Sequence, residues 1–191
     1  MNTPAHVVLN ALALGRAGWK PHWGAVTAGA LVPDLPMFVF YVYQRVWLGT
    51  GEHVIWSERY FAPDWQLFFD VFNSLPLIAL AALVAWRVRA QAALAFFASM
   101  ALHCLTDLPL HREDAHGHLF PLSSWRFESP VSYWDPAHHG LAFASFEALF
   151  VLAGGLLLTR YAPPRAWGVI GVSAAGLYLV FAVFAVAVWM S

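Results

Sequence analysis

The chain has 191 residues, of which 60% are hydrophobic and 11% are charged, and its formal net charge is -1. Soluble domains are about 45–50% apolar and about 25% charged, so this composition excludes a water-exposed globular surface and predicts a protein whose partner is the lipid bilayer. The near-zero charge argues against a nucleic-acid-binding surface, because phosphate contacts need clustered Lys and Arg. With no linker-like segment in the sequence, we expect residues 1–191 to form one domain.

Apolar runs of about 20 residues, the length that crosses a bilayer, predict the membrane helices. In chain order, five spanning helices are expected at Gly24–Leu48, Gln66–Trp86, Ala90–Leu108, Leu141–Leu158 and Ala166–Met190. The earlier segment Pro4–Leu14 is too short to span, so we expect a half-membrane or interfacial helix there, with Thr3 as its N-cap. The predicted fold class is therefore all-α, a polytopic membrane helix bundle.

Basic residues predict the orientation of this bundle. The short loops Arg16–Lys20, Arg87–Arg89 and Arg160–Arg165 each carry two cations and no acid, which places them in the cytoplasm by the positive-inside rule. The long loops Thr50–Trp65 and His111–Pro136 mix acids with bases and then face the other side. In a bacterium, that side of the inner membrane is the periplasm.

Apart from Asp34 and Glu147, the His and Asp residues of the predicted helices fall near the non-cytoplasmic helix ends. They are His6, Asp70 with Asn73, His103 with Asp107, and Asp135 with His138 and His139, while His111, Asp114, His116 and His118 lie in the connecting loop. Because the orientation was assigned from Lys and Arg alone, this convergence is a separate indication of one polar site. Because they lie beside acids in a loop, His111, His116 and His118 are more readily explained as hydrated surface residues than as ligands.

The strongest pair in this set is His103 and Asp107, since residues four apart share one helix face and can bind one cation. Imidazole plus carboxylate suits zinc, and also manganese or iron. His6 and Asp34 are further candidate ligands, Asp34 because Pro33 and Pro36 break the helix around it. The alternatives are a buried His–Asp hydrogen bond, an interfacial histidine, and an acid that caps the half-helix after Pro33.

Two further candidates lie near the start of the fourth predicted span. One of the adjacent histidines His138 and His139 can face the same metal, but not both, because neighbouring residues on a helix point apart. Glu147 follows His139 by two helical turns, and we expect it to hydrogen-bond a ligating histidine.

Several short motifs resemble those of a bacterial family of predicted membrane-bound metal-dependent hydrolases. They are the start Met1–His6, the string Leu31–Pro36, and His103-x3-Asp107 followed by His118-Leu-Phe-Pro-Leu-Ser, all within about residues 1–140. That family includes inner-membrane proteins under LexA control and is distantly similar to zinc-dependent phospholipase C. The resemblance implies that His6, Asp34, His103 and Asp107 are metal ligands.

The chain departs from this family before the third helix. Where the family has a His-Arg-Gly-x-Thr-His-Ser stretch, this chain has Phe68–Ser74, in which Asp70 and Asn73 are the nearest substitutes for the lost histidines. We therefore expect Asp70, or a loop histidine, to act as the general base, and His118 to line the substrate entrance. Arg112 or Arg126 is expected to hold a phosphate.

These observations favour a metal-dependent hydrolase of a phosphoester or related ester, acting on a lipid or on a small soluble molecule. A different class remains open, a non-catalytic membrane subunit whose histidines bind haem or a structural metal. A weaker third hypothesis is a proton-coupled carrier that uses Asp34, Asp70, Asp107 and Glu147 as a relay.

Overall fold

The computed structural model describes residues 1–161 and 165–189, and every regular element in those ranges is helical. In chain order the α-helices are α1 (Thr3–Leu14), α2 (Trp23–Leu31), α3 (Leu35–Val42), α4 (Glu52–Val54), α5 (Pro63–Phe72), α6 (Leu75–Arg87), α7 (Gln91–Asp107), α8 (Gly140–Tyr161) and α9 (Arg165–Trp189). The all-α prediction is confirmed for these residues. Met190, the last residue of the fifth predicted span, and part of the loop between Arg160 and Arg165 lie outside the described residues.

Four helical segments are long and apolar enough to cross a membrane: Thr3–Trp47, Pro63–Arg87, Gln91–Leu110 and Gly140–Arg160. The protein is therefore a multi-pass membrane protein by the length and composition of its helices. In α9 the apolar stretch found within the described residues is the shorter Gly168–Val180.

Helix α1 occupies the centre of the bundle. Its residues Ala5, His6, Val8 and Asn10 are completely buried, and the helix packs against α2, α7, α8 and α9. The chain turns back from α1 toward α2 at Gly18, whose φ of +93° is open to glycine at little cost. This burial favours the half-membrane interpretation of the first element over the interfacial one.

Close helix contacts hold α2 and α9 to different partners. A Cβ atom at Gly29 of α2 would overlap the carbonyl oxygen of Phe96 on α7. On the other side of α1, a Cβ atom at Gly155 of α8 would lie 2.7 Å from the carbonyl oxygen of Gly171 on α9. Small residues allow this approach between membrane helices. The bundle thus contains two tightly packed pairs, α2 with α7 and α8 with α9.

Two interruptions in the helices prepare the polar end of the bundle. One is the turn at Pro33 between α2 and α3, which was expected from the prolines. The other, between α5 and α6, divides the predicted span Gln66–Trp86. Its freed backbone is bonded by the long loop: Leu75 N–H donates to the His118 carbonyl at 2.9 Å, and the Ser74 hydroxyl donates to the Phe120 carbonyl. The loop is thereby fixed over the helix ends.

Candidate metal centre

His103 has one ring nitrogen held by the backbone and the other facing carboxylates. Its Nδ1 donates to the Ala30 carbonyl at 2.8 Å, so Nε2 is the nitrogen left to bind a proton or a cation. That Nε2 lies 3.1 Å from Asp107 Oδ2 and 3.4 Å from Asp34 Oδ1, and it has no hydrogen bond to any described residue. A lone pair facing two carboxylates is unfavourable unless a cation or a proton lies between them.

Asp107 lies at the centre of the site and is almost completely buried. Its Oδ1 is 2.9 Å from His6 Nε2 and 2.6 Å from the Met1 amino nitrogen. Its Oδ2 faces His103 Nε2 and, at 3.4 Å, His111 Nε2. One carboxylate thus contacts three histidines from three parts of the chain.

The candidate ligand atoms form two adjoining groups that meet at Asp107. The first contains His6, Asp34 and His103, and the second contains Asp107, His111 and His116, with ligand atoms within 4.8 Å of one another in each group. His111 is held from behind, because its Nδ1 donates to Asp114 Oδ2 at 2.8 Å. Such a carboxylate partner orients a ligating imidazole and raises its basicity.

Electrostatics in the loop favours a cation at the second group. Burial lowers the pKa of His111, but the carboxylates of Asp107 and Asp114 reverse that effect and raise its pKa to about 9. Burial and the neighbouring His111 lower the pKa of His116 to about 3, which keeps that ring neutral. Neutral imidazole is the form that ligates a metal, and the two carboxylates that attract a proton also attract a divalent ion.

The residues present fit a divalent ion. The Nε2 atoms of His103 and His111 lie 3.1 and 3.4 Å from Asp107 Oδ2, which is the spacing of nitrogen and oxygen atoms that share an ion at about 2.0–2.2 Å. The Nε2 atoms of three buried histidines, His103, His111 and His118, lack a hydrogen-bond partner among the described residues. Buried polar atoms rarely lack a hydrogen-bond partner, so these nitrogens are ligand atoms that a bound ion would satisfy.

Neither Thr3 nor Asp34 caps a helix as expected, and a hydrogen bond between the two positions Asp34 in the site. Thr3 does not cap α1; its hydroxyl donates instead to Asp34 Oδ2 at 2.6 Å, and the N-cap position of α1 belongs to Asn2. Asp34 makes no side-chain cap bond to α3 among the described residues. Thr3 therefore orients Asp34, whose other oxygen faces His103.

The three predicted catalytic residues lie at the junction of the loop with α5 and α6. Asp70 Oδ1 accepts from Gly117 N–H at 2.7 Å, and Oδ2 accepts from Arg126 Nη2 at 2.5 Å. Asn73 Nδ2 donates to the Phe69 and Pro33 carbonyls. His118 does not line an entrance: it is 3% exposed, and its Nδ1 donates to the Asn73 carbonyl. This geometry favours anchoring roles for Asp70 and Asn73.

His138 and His139 are not brought into the two buried groups. His138 belongs to a third, more exposed group with Glu113 and Asp135, and its Nδ1 is already 2.6 Å from Asp135 Oδ2. His139 is exposed and has a φ of +68°. The loop geometry that starts α8 at Gly140 directs these side chains outward, which helical spacing alone did not predict.

Three other expected roles are replaced by different contacts. Glu147 does not contact a histidine; its oxygens accept from the backbone and side-chain nitrogens of Asn2 and from the Tyr178 hydroxyl. Arg126 is engaged by Asp70 and the Ala115 carbonyl, and Arg112 donates to the Ser129 carbonyl at 3.2 Å. Both arginines brace the loop through these contacts.

His111 and His116 belong to the second group of candidate ligand atoms, whereas their place beside acids in a loop had favoured hydrated surface residues. One signal was present, because His111 follows Asp107 by four residues and so extends the His103/Asp107 spacing. Asp107 also has the pairing that its spacing with His103 predicted, together with a contact to His6. The loop and α1 are far apart in the sequence, so residue spacing could not predict that they lie close together.

A cavity of about 1280 Å³ adjoins the site. Asp34, His111 and His116 form part of its wall, so both ligand groups are accessible from it. The rest of the cavity is mostly apolar: one part runs between α2 and α9, and another is lined by the aromatic residues Phe38, Trp56, Tyr60 and Phe61. Comparison of the chain with models of protein families, with curated proteins and with solved structures found no match.

Proposed function

We propose that this chain is a membrane-embedded hydrolase that uses one or two divalent ions, zinc in preference to manganese or iron, to cleave a phosphoester or related ester. The observation that carries the proposal is the set of buried histidines whose Nε2 atoms have no described partner and face Asp107 or lie beside it. A bound ion would supply Lewis acidity, polarising a phosphoryl oxygen and making water a better nucleophile.

The residues divide into ligands and groups that orient them. His6, Asp34, His103 and Asp107 would hold the first ion, and Asp107, His111 and His116 the second, with the Asp107 carboxylate shared. Thr3 and Asp114 orient Asp34 and His111 through hydrogen bonds. Ligand orientation of this kind commonly tunes a catalytic metal.

Access to the site favours catalysis over a structural metal. Structural zinc sites are closed by protein ligands, whereas catalytic sites keep one position open. Here Asp34, His111 and His116 all border the cavity. A haem between His6 and His103 is disfavoured, because their stacked rings have centroids 3.5 Å apart and leave no space for a porphyrin.

The resemblance to membrane-bound metal-dependent hydrolases supports the same proposal. Its four implied ligands, His6, Asp34, His103 and Asp107, lie together in the structure. Asp70 and Asn73 stand where the family has its two histidines, but their hydrogen bonds make them anchors of the loop. We propose that His111 and His116 supply the donors for a second ion.

The proposed setting is a bacterial inner membrane, crossed five times, with α9 as the fifth span and the site on the periplasmic side. This orientation rests on the basic loops at the end of the bundle opposite Asp107. A reporter inserted at Val88 should read cytoplasmic, and one fused after Ser191 should read periplasmic. The reverse pattern would place the site at the cytoplasmic face.

The function is tested with purified protein, elemental analysis and a panel of phosphomonoesters, phosphodiesters and carboxylic esters. Wild type should contain a stoichiometric divalent ion and hydrolyse a member of the panel, and chelation should abolish turnover. His103→Ala should lose both, whereas His53→Ala, which alters an exposed residue bonded only to Ser57 among the described contacts, should lose neither. Equal metal content in both variants would contradict the proposal.

A further inference from the structure

The apolar part of the cavity is a cleft between two membrane helices. Leu31 and Thr27 of α2 form one wall, Val169, Ser173 and Leu177 of α9 form the other, and Pro4 and Val7 of α1 form the floor. From Val169 to Leu177 the wall extends about 12 Å along the helix. The cleft thus reaches from the ligand groups deep into the membrane-spanning part of the bundle.

The walls belong to separately packed helix pairs, so the cleft is a gap between them. Gly29 brings α2 close to α7, and Gly155 with Gly171 brings α9 close to α8. Leu31, Val169 and Leu177 are 36%, 66% and 63% exposed, and these helices have no aqueous environment at that depth. The cleft therefore opens sideways to the lipid rather than to water.

Polarity along the cavity is segregated. The ionisable lining residues, Asp34, His111, Glu113, Asp114 and His116, lie at the loop end of the cavity. At the deep end, the Thr27 hydroxyl is bonded to the Trp23 carbonyl in its own helix. With a divalent ion held by these residues, a ligand that fits both ends has a phosphate-bearing head and a long apolar chain.

The volume also decides against a small soluble ligand. Pockets for drug-sized molecules are about 300–1,000 Å³, and this cavity of about 1280 Å³ exceeds that range. Part of its lining is the apolar cleft, where a small polar ester would leave exposed hydrocarbon unfilled. An acyl chain would bury that surface at a gain of roughly 25 cal/mol per Å².

We infer that the substrate is a membrane lipid with a phosphate-bearing headgroup, which enters sideways between α2 and α9 and leaves its chain in the cleft. This inference rests on the proposed function for the headgroup chemistry, but the chain-binding cleft is a separate property. The headgroup would reach the ligand groups without leaving the bilayer, and the arginines that brace the loop would not be needed to hold it.

Chain binding is tested by photolabelling, independently of activity. The protein is reconstituted in nanodiscs that contain a phosphatidic acid with a diazirine near the end of one acyl chain. Label should concentrate on the cleft sides of α2 and α9, around Leu31 and Ser173. Ser173→Phe fills the cleft from an exposed position, and it should lower this labelling at least about tenfold, whereas Val172→Phe on the neighbouring lipid face should not.

Turnover separates this inference from the proposed function. Phosphatidic acid and glycerol phosphate present the same phosphate with and without chains, and Ser173→Phe should impair only hydrolysis of the lipid. Unchanged labelling and unchanged lipid turnover in Ser173→Phe would overturn the cleft while leaving metal-dependent hydrolysis of glycerol phosphate intact. Cleft labelling that Ser173→Phe abolishes, with no ester hydrolysed by metal-loaded wild type, would support the lipid cleft and overturn the hydrolase.

Discussion

The inner His/Asp groups and the outer group at Glu113, Asp135 and His138 bring similar ligand atoms equally close together. They differ in solvation and in hydrogen bonding. His103 is fully buried with Nε2 unbonded to any described residue, while His138 is a third exposed and bonded to Asp135 at 2.6 Å. Proximity alone therefore does not define a metal site.

What distinguishes the inner groups is that their atoms are buried, so bulk water screens their charges far less. In the outer group, solvent screens the carboxylates and hydrates the ring, so little is gained when an ion binds. In the inner groups, Asp107 is 1% exposed and depends on positive charge from its neighbours. Burying these polar atoms without partners costs free energy, and a bound cation would offset that cost.

The largest effect is expected from removing the shared carboxylate. Asp107→Asn preserves shape but removes the charge that faces His6, His103 and His111, so zinc affinity should fall by more than about 100-fold. Asp135→Asn makes the same change in the outer group and should leave affinity unchanged. Calorimetric titration of both apo-proteins measures the difference. Equal losses would mean that the outer group binds the ion.

A smaller effect is expected one step away from the ligands. Asp114 contacts only the far nitrogen of His111 within the second group, so Asp114→Asn should weaken the second ion by about 10–100-fold and spare the first. Glu113→Gln, at the adjacent exposed position, is the matched control. Metal stoichiometry in the presence of a competing chelator would show the loss. A single unperturbed ion in Asp114→Asn would argue against a second ion at His111.

The smallest effect on metal binding is expected from the loop anchor. Asp70→Asn and Arg126→Gln break the same ion pair, so each should lower the free energy of unfolding by about 1–3 kcal/mol without changing zinc content. Thermal unfolding and turnover are measured for both. If Asp70 is instead the general base, Asp70→Asn alone should lower turnover by about 10²–10⁴-fold while Arg126→Gln retains it.

The helices were predictable because lipid imposes a simple rule on composition. Long apolar runs located α7 and α8 to within a few residues, and prolines indicated the break before α3. The break between α5 and α6 was missed, although polar Asn73 and Ser74 followed by Pro76 are a local signal for it. The Ser74 hydroxyl caps α6 by accepting from Leu77 N–H, and the loop adds a tertiary contribution by bonding the freed backbone.

The site was predictable where its residues share a helix or follow a helix break. His103 and Asp107 were paired by spacing, and Asp34 was placed by its prolines. The irregular loop from His111 to Asp135 defeated the same reasoning, because no periodicity relates its side chains. The His111 ring is hydrogen-bonded to Asp114 and faces the buried groups. The His138 ring, just after the loop, is hydrogen-bonded to Asp135 and faces outward.

The central position of α1 has a consequence for the order of assembly. His6 meets Asp107 across 101 residues, and Asn2 meets Glu147 across 145. During synthesis, the polar face of α1 stays uncovered until α7, and then α8, have been inserted. Contacts so distant along the chain form late and slowly. The candidate ligands therefore come together only after His116 has been synthesised, and the contact of Asn2 with Glu147 forms only once α8 is in place.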